Sequence, residues 1–305
     1  MVERDLLREL GELTAVRTDE PLRRHTTFGI GGPADAYVVA RSADDLGRIG
    51  AACRRHETPF FVLGSGSNIL VGDAGIRGVV IENRARRVEQ LPDADMTTFR
   101  AESGASFAGL ARHLAQQGWA GLEWAAGIPG TVGGAVVYNA GAYGGCLADV
   151  LVAIITANGK GERRIPASEL GLVYRGSAFT RGRLEDQTIL AAEFRLAPGD
   201  ATELDRRVAE LDERRLRAQP RGRSAGSVFK NAPEHPAWWL IDQVGLRGHR
   251  IGDAQISPKH ANFFVNAGQA RAADVKALMD LAREKVRERF DIELQPEISL
   301  VGEGF

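Results

Sequence analysis

The 305-residue chain predicts an α+β protein. Strand-like apolar runs and amphipathic helical patterns succeed each other without the regular βα alternation of a doubly wound sheet. The texture changes at Ala201, where an arginine-rich helical pattern begins. Upstream of it, residues 127–145 read "GIPGTVGGAVVYNAGAYGG", with seven glycines and no charged side chain. Glycine costs conformational entropy on folding, so such density calls for turns, or for bare backbone lying close to a polyanionic ligand.

The elements follow in order. Leu6, Leu7, Leu10 and Leu13 mark one face of a short amphipathic helix. "RRHTTFGIGGPADAYVVA" reads as a turn-rich segment. Ser42 caps a helix whose apolar face carries Leu46, Ile49 and Cys53. "PFFVLG" and "GVVIEN" read as buried strands. Ser106 caps a further helix with Phe107, Leu110 and Leu114 inward. After the glycine-rich stretch comes the strand "DVLVAIITA", turned by "NGKG", and then the strand "TILAAEFRL", broken by "APGD". Leu204, Val208 and Leu211 share a face of the arginine-rich helix, which stops near Gln219 and Pro220. A second long helix carries Val275, Leu278, Met279, Ala282, Val286 and Phe290, and strands are expected at "DIEL" and "EISLV".

Composition bounds the function. Hydrophobic residues make up 44% and charged residues 26%, and the net charge is −1. These values fit a globular chain of two or three domains and argue against nucleic-acid or membrane partners. The opening "MVERDLLREL" lacks an apolar run, so no signal peptide is expected, nor does any stretch approach a membrane span. Cys53 and Cys146 form no CxxC pair, and the six histidines lack metal-ligand spacing. A disulfide framework and a metal site are therefore not expected, and the cytoplasm is.

"VLGSGSNILV" fails as a dinucleotide fingerprint, because Ile69 stands where a third glycine belongs. Still, Gly64, Ser65, Gly66, Ser67 and Asn68 set small donors beside exposed amides, which suits a diphosphate as well as a plain loop. No Walker A sequence or Gly-x-Ser-x-Gly elbow is present. In the arginine-rich helix Arg214, Arg215 and Arg217 are all candidates to reach an anion. "VYRGSAF" places Arg175 beside Tyr174, "AGSVFKN" places Ser227 near Lys230 and Asn231, and "LQPEISL" places Glu297 after a proline. Singly these read equally as an ion pair, a cap and an exposed strand end. Together they offer a guanidinium, a hydroxyl and a carboxylic acid, a candidate acid–base set.

These clusters, with "TTFGIGGPAD", "GLEWAAGIPGTVGGAVVYNAGAYGG", "QPRGRSAGSVFKN", "IGDAQISPKHANFFVNAG" and "LQPEISLVG", resemble in sequence and order the UDP-N-acetylenolpyruvoylglucosamine reductase (MurB) family. The resemblance runs from Thr26 to Gly302, and the short spacing after "YRGSAF" is similar to the subtype without an extra tyrosine-bearing substrate loop. It implies a non-covalent FAD in a two-part region of the vanillyl-alcohol-oxidase (PCMH) type. That region would span residues 1–84 and 85–200, followed by a substrate domain over 201–305 whose last strand returns to the first part. It implies cofactor contacts from Gly64–Asn68, from Ile128, Pro129, Gly130, Thr131, Gly133, Gly134 and Ala135, and from Asn139 and Gly141.

The resemblance further implies an enzyme of peptidoglycan synthesis. NADPH would reduce the flavin, and UDP-N-acetylglucosamine enolpyruvate would then accept hydride at C3 and a proton at C2, giving UDP-N-acetylmuramate. Ser227 matches the proton donor, and Arg175 and Glu297 match the groups that stabilise the developing charge. Tyr174, Arg217, Lys230 and Asn231 fall at substrate-binding positions. A small-molecule enzyme of this kind is expected to be a monomer. Another flavin oxidase or dehydrogenase of the same fold group, or a non-catalytic nucleotide-binding protein, stays open at this point.

Overall fold

The computed structural model describes residues 2–92 and 97–305. Its elements form for local reasons that the side chains make plain. Leu6 and Leu10 are the buried stripe of α1 (Arg4–Leu13). β1 (Arg17–Pro21) and β2 (Pro33–Ala40) follow. Ser42 accepts from the Asp45 N–H at 3.0 Å and so starts α2 (Ala43–Arg55). Next come β3 (Phe60–Leu63), β4 (Ile69–Val71), β5 (Ile76–Asn83), β6 (Val88–Gln90) and β7 (Thr98–Glu102). Ser106 accepts from the Gly109 N–H at 3.1 Å at the head of α3 (Phe107–Gln116), which β8 (Trp119–Ala120) follows.

The glycine-rich stretch holds α4 (Val132–Val137), β9 (Gly141–Ala142) and β10 (Gly145–Cys146). β11 (Leu151–Ala157) and β12 (Glu162–Pro166) pair antiparallel across the Asn-Gly turn, with Ala157 opposite Glu162. β13 (Thr188–Arg195) and β14 (Ala197–Pro198) lead to α5 (Ala201–Ala218). α6 (Ala237–Gln243), β15 (Arg250–Ile251), β16 (Ala254–Ile256), β17 (Phe264–Asn266), α7 (Ala272–Phe290) and β18 (Ser299–Val301) complete the order.

The chain divides into two compact units. The first comprises Met1–Arg17, Ala36–Gly64 and Gly78–Arg215. It has two cores. In one, Leu6, Leu10, Leu46 and Ile49 of α1 and α2 pack with Val38, Val79 and Ile81 of the strands. There β3 runs parallel to β5, with Phe60 opposite Val79. The other core lies on a five-stranded sheet of order β12-β11-β13-β7-β6, covered by Phe107, Leu110 and Leu114 of α3 and by Val132 and Val136 of α4. Leu204 and Val208 of α5 belong to this same core.

The second unit comprises Thr18–Asp35, Ser65–Arg77 and Leu216–Phe305. Its core gathers Leu240 and Ile241 of α6, Val275, Leu278 and Val286 of α7, Phe264, Phe28 and Leu70. β18 runs parallel to β4, pairing Ser299 with Ile69 and Val301 with Val71. The last strand therefore lies beside the segment that follows "GSGSN".

Two expectations need correction. "PADAYVVA" is a strand rather than a turn: Ala34, Ala36, Tyr37 and Val38 are buried, and the proline sits at the strand's first residue, where a missing N–H is tolerated. "DIEL" is not a strand. Asp291 takes a left-handed conformation (φ 54°) that ends α7, and the chain beyond it pairs irregularly, with the Lys230 N–H donating to Gln295 O at 2.8 Å. Leu294 is buried there without a sheet.

Gly75 tests the second unit's backbone. It holds φ +84°, and a Cβ would lie 1.8 Å from Pro33 O. Gly75→Ala is expected to cost about 2–4 kcal/mol, through strain and displaced backbone together. Gly11 sits inside α1 with nothing within 4 Å of its would-be Cβ, so Gly11→Ala is expected to gain about 0.5–1 kcal/mol. Urea unfolding midpoints moving in opposite directions for the two variants check this.

Candidate active site

In the first unit, the glycine-rich stretch is stitched to its surroundings. Val132 N–H donates to Ala105 O at 2.9 Å and Gly133 N–H to Ser103 O at 2.8 Å. Thr131 caps α4, its Oγ1 accepting from Gly134 N–H at 3.4 Å. Much of the glycine content therefore serves the protein's own packing. A Cβ on Gly133 would stand 3.1 Å from Ser103 Cβ, on Gly64 2.6 Å from Thr131 Oγ1, on Gly127 2.7 Å from Arg215 Cδ, and on Gly145 2.5 Å from Trp124. Gly134 differs. Its nearest contact would be Thr131 Oγ1 at 3.7 Å, so among the described residues no close contact outside its own helix accounts for its bareness. Neither Gly133 nor Gly134 has a positive φ.

Asn139 is buried with φ +42°. Its Nδ2 donates to Val173 O at 3.0 Å and its Oδ1 accepts from Ala148 N–H at 3.1 Å. It thus fixes the segment bearing Tyr174 and Arg175 against the glycine-rich stretch. Val173 and Gly176 exchange backbone hydrogen bonds at 3.0 and 3.1 Å, which closes a tight turn with Arg175 at φ +52°. Ser177 Oγ donates to Val137 O at 2.7 Å and ties the turn to α4. The Arg175 guanidinium lies 5.4 Å over the ring of Tyr174, itself 59% exposed.

α5 contributes a second guanidinium. Burial is the main influence pulling the Arg215 group below its ordinary value; Tyr143 and Asp212 oppose this and Arg175 adds to it. The Arg175 charge therefore disfavours a second charge on Arg215, an effect that an anion beside the pair relieves. Arg112 of α3 holds Asp212 at 2.6 Å and so locks this turn of α5. Arg217 is exposed. Helical spacing distinguishes the two: Val208, Leu211, Asp212 and Arg215 follow the i, i+3, i+4, i+7 face, whereas Arg217 points away from it. That signal singles out Arg215 among the three arginines that the sequence left open.

In the second unit, Gly66 holds φ +63°, with His25 O 2.5 Å from a would-be Cβ. Thr27 N–H donates to Gly66 O at 3.2 Å. Among the described residues the N–H groups of Ser65 and Gly66 donate to no protein acceptor, and Ser65 Oγ reaches Ser67 Oγ at 3.2 Å. Adjacent orphan amides beside small hydroxyls fit a diphosphate.

The same unit gathers Asn68, Ser227, Lys230 and Glu297. Asn68 Nδ2 donates to Glu297 O at 3.1 Å, and Glu297 N–H donates to Val228 O at 2.8 Å. Asn262, which the sequence reading did not single out, clamps the chain beyond Ser227. Its Oδ1 accepts from Phe229 N–H at 2.9 Å and its Nδ2 donates to Phe229 O at 2.8 Å. Ser227 is half-buried, and its hydroxyl makes no hydrogen bond to another described residue. Asn231 Oδ1 accepts from Ala237 N–H at 3.0 Å and so heads α6. Among the described residues no cluster of His, Cys, Asp or Glu is placed to hold a metal, and no helix is long and apolar enough to cross a membrane.

The chain matches two family models, "UDP-N-acetylenolpyruvoylglucosamine reductase, C-terminal domain" over residues 218–301 and "FAD binding domain" over residues 34–164. It is 43% identical over 289 residues to the UDP-N-acetylenolpyruvoylglucosamine reductase of Chloroflexus aggregans, covering 94% of this chain and 97% of that one. The namesake from Rubrobacter xylanophilus is 44% identical over 295 residues, covering 95% and 96%. The crystal structure of the reductase from Thermus caldophilus superposes with a TM-score of 0.78 at 35% identity, covering 94% and 98%. An alkyldihydroxyacetonephosphate synthase (TM-score 0.50, 18% identity, 65% of this chain and 41% of that one) shares the fold.

Proposed function

The chain belongs to the UDP-N-acetylenolpyruvoylglucosamine reductase family, and on that premise we propose how its own residues divide the reaction. It is an FAD-dependent oxidoreductase that reduces UDP-N-acetylglucosamine enolpyruvate to UDP-N-acetylmuramate, a peptidoglycan precursor, with NADPH as reductant. Bound FAD supplies the hydride that C3 of the enolpyruvyl group receives.

Arg175 and Arg215 bind the substrate carboxylate as a pair, because each guanidinium lowers the cost of an anion beside the other. Ser227 delivers the proton to C2. The observation that carries this role is its uncommitted hydroxyl on backbone held by Asn262 and by the segment that bears Glu297. Glu297, in protonated form, donates a hydrogen bond to the charge that develops as hydride arrives. Lys230 assists, since a serine hydroxyl alone is a weak acid. Tyr174, Arg217 and Asn231 line the approach of the nucleotide sugar. Ser65–Asn68 take the FAD diphosphate on their amides and hydroxyls. Ile128–Thr131, Gly133–Ala135, Asn139 and Gly141 would form the flavin's seat, with the bare backbone of Gly134 open to it. The substrates are small molecules. The protein works as a monomer in the cytoplasm, with the FAD region ending near residue 200 and the substrate domain beyond it.

The Glu297 assignment has a specific test. If the residue acts as a hydrogen-bond donor, Glu297→Gln retains measurable turnover, since an amide also donates. Glu297→Ala loses about a hundredfold or more, the scale of removing one donor to a developing anion. Steady-state formation of UDP-N-acetylmuramate by the two variants measures this. Equal losses would assign proton transfer to Glu297 instead.

A further inference from the structure

The second unit carries a basic cleft of about 690 Å³ that the reaction above does not use. Arg23, Arg24 and Arg223 line it with Thr26, Gly29 and Gln269; neither Ser227 nor Glu297 does. No carboxylate lines it, and none of the three arginines forms an ion pair among the described residues. Nearby acids are already engaged. Glu20 holds His25 at 2.9 Å, Asp73 accepts from Ala272 N–H at 2.8 Å, and Asp253 accepts from Gln269 N–H at 2.8 Å. Among the described residues, three arginines therefore line one concavity without an acidic partner.

The cleft is also built. Asn266 N–H donates to Arg223 O at 2.9 Å, and Asn266 Nδ2 donates to Phe28 O at 3.1 Å. One residue thus fixes both walls. Gly29, at φ +65°, makes room for the arginine: a Cβ there would lie 2.9 Å from Arg223 Cδ. Thr26 Oγ1 donates to Ile30 O at 2.9 Å, and Gly29 N–H to Thr26 O at 3.1 Å. Because the threonine hydroxyl is spent inward, the donors left for a ligand are the guanidiniums and the Gln269 amide. Planar guanidinium forks match phosphate oxygens two at a time. The volume lies in the range of small-molecule sites and well beyond one phosphate.

We infer that this cleft is an accessory site for a nucleoside polyphosphate, held through its phosphates. The inference does not rest on the reductase reading. Thr27, which also lines the cleft, joins it to the active-site loops, since its Oγ1 donates to Ser224 O at 2.7 Å and its N–H to Gly66 O at 3.2 Å.

Calorimetric titration of the FAD-loaded protein with ADP tests it, with inorganic pyrophosphate and adenosine as comparison probes. The expected result is one ADP per chain, competition by pyrophosphate, and far weaker binding of adenosine. The double variant Arg23→Ser/Arg223→Ser should weaken ADP by about tenfold or more. A charge-matched control, Arg221→Ser/Arg287→Ser, should bind as the parent does, and all should keep their flavin. Equal weakening in both double variants would reduce the effect to overall charge and overturn the site. Pyrophosphate binding that ADP does not displace would overturn the nucleotide assignment. Loss of flavin in the Arg23/Arg223 variant would assign these arginines to FAD and overturn the accessory role.

Discussion

Ser227→Ala is expected to leave reduction of the bound flavin by NADPH close to the parent rate while slowing its reoxidation by UDP-N-acetylglucosamine enolpyruvate by about a hundredfold to ten-thousandfold. That range is what a positioned proton donor contributes. The asymmetry follows from chemistry, because C2 needs its proton only in the second half-reaction. The structure adds a reason to expect little collateral damage. The Ser227 hydroxyl makes no hydrogen bond to a described residue, so removing it orphans no protein group. Its backbone neighbourhood rests on Asn262 and Val228, which the substitution leaves in place. Ser227→Cys should retain more activity than Ser227→Ala, since a thiol still donates a proton. Stopped-flow traces with both halves slowed equally would contradict the assignment.

Gly134→Val is expected to fold and to lose FAD. A Cβ at Gly134 meets nothing closer than Thr131 Oγ1 at 3.7 Å, and the residue needs no left-handed backbone. On the proposed role of this stretch, what a side chain there would obstruct is the ligand. Gly133→Val behaves differently. Its Cβ would press to 3.1 Å on Ser103 Cβ and 3.2 Å on Ser103 O, in a region where Ser103 Oγ also donates to Ile189 O at 2.6 Å. That variant is expected to lose stability itself. Flavin absorbance per protein, measured alongside thermal unfolding, separates the two. A Gly134→Val protein with full flavin content would refute the role given to this stretch.

Where local chemistry decides, the sequence was sufficient. Ser42 and Ser106 announce their helices as N-caps, the Asn-Gly turn joins β11 to β12, and Val275, Leu278, Ala282 and Val286 trace the buried face of α7. It was insufficient where partners are distant in the chain. Leu294 is buried although its segment is not a strand, because the second unit's own loops supply its pairing. "GIGGP" carried turn signals strong enough to hide the strand that starts at its proline. In the site, the glycine-rich stretch read as one uniform cradle. The structure divides it into glycines that make room for Ser103, Arg215 and Trp124, a glycine that takes left-handed backbone (Gly144), and Gly134, which does neither. Arg215 was within reach of the helical period but was not separated from its neighbours. Asn262 left no signal of its own, since its value lies in the Phe229 backbone it clamps.

The central claim is that this chain passes hydride from NADPH to an enolpyruvyl nucleotide sugar through bound FAD. Under anaerobic conditions, NADPH should bleach the flavin of the purified protein, and UDP-N-acetylglucosamine enolpyruvate should then restore its colour with one UDP-N-acetylmuramate formed per flavin. A protein without flavin, or a bleached flavin that only oxygen recolours, would contradict the account.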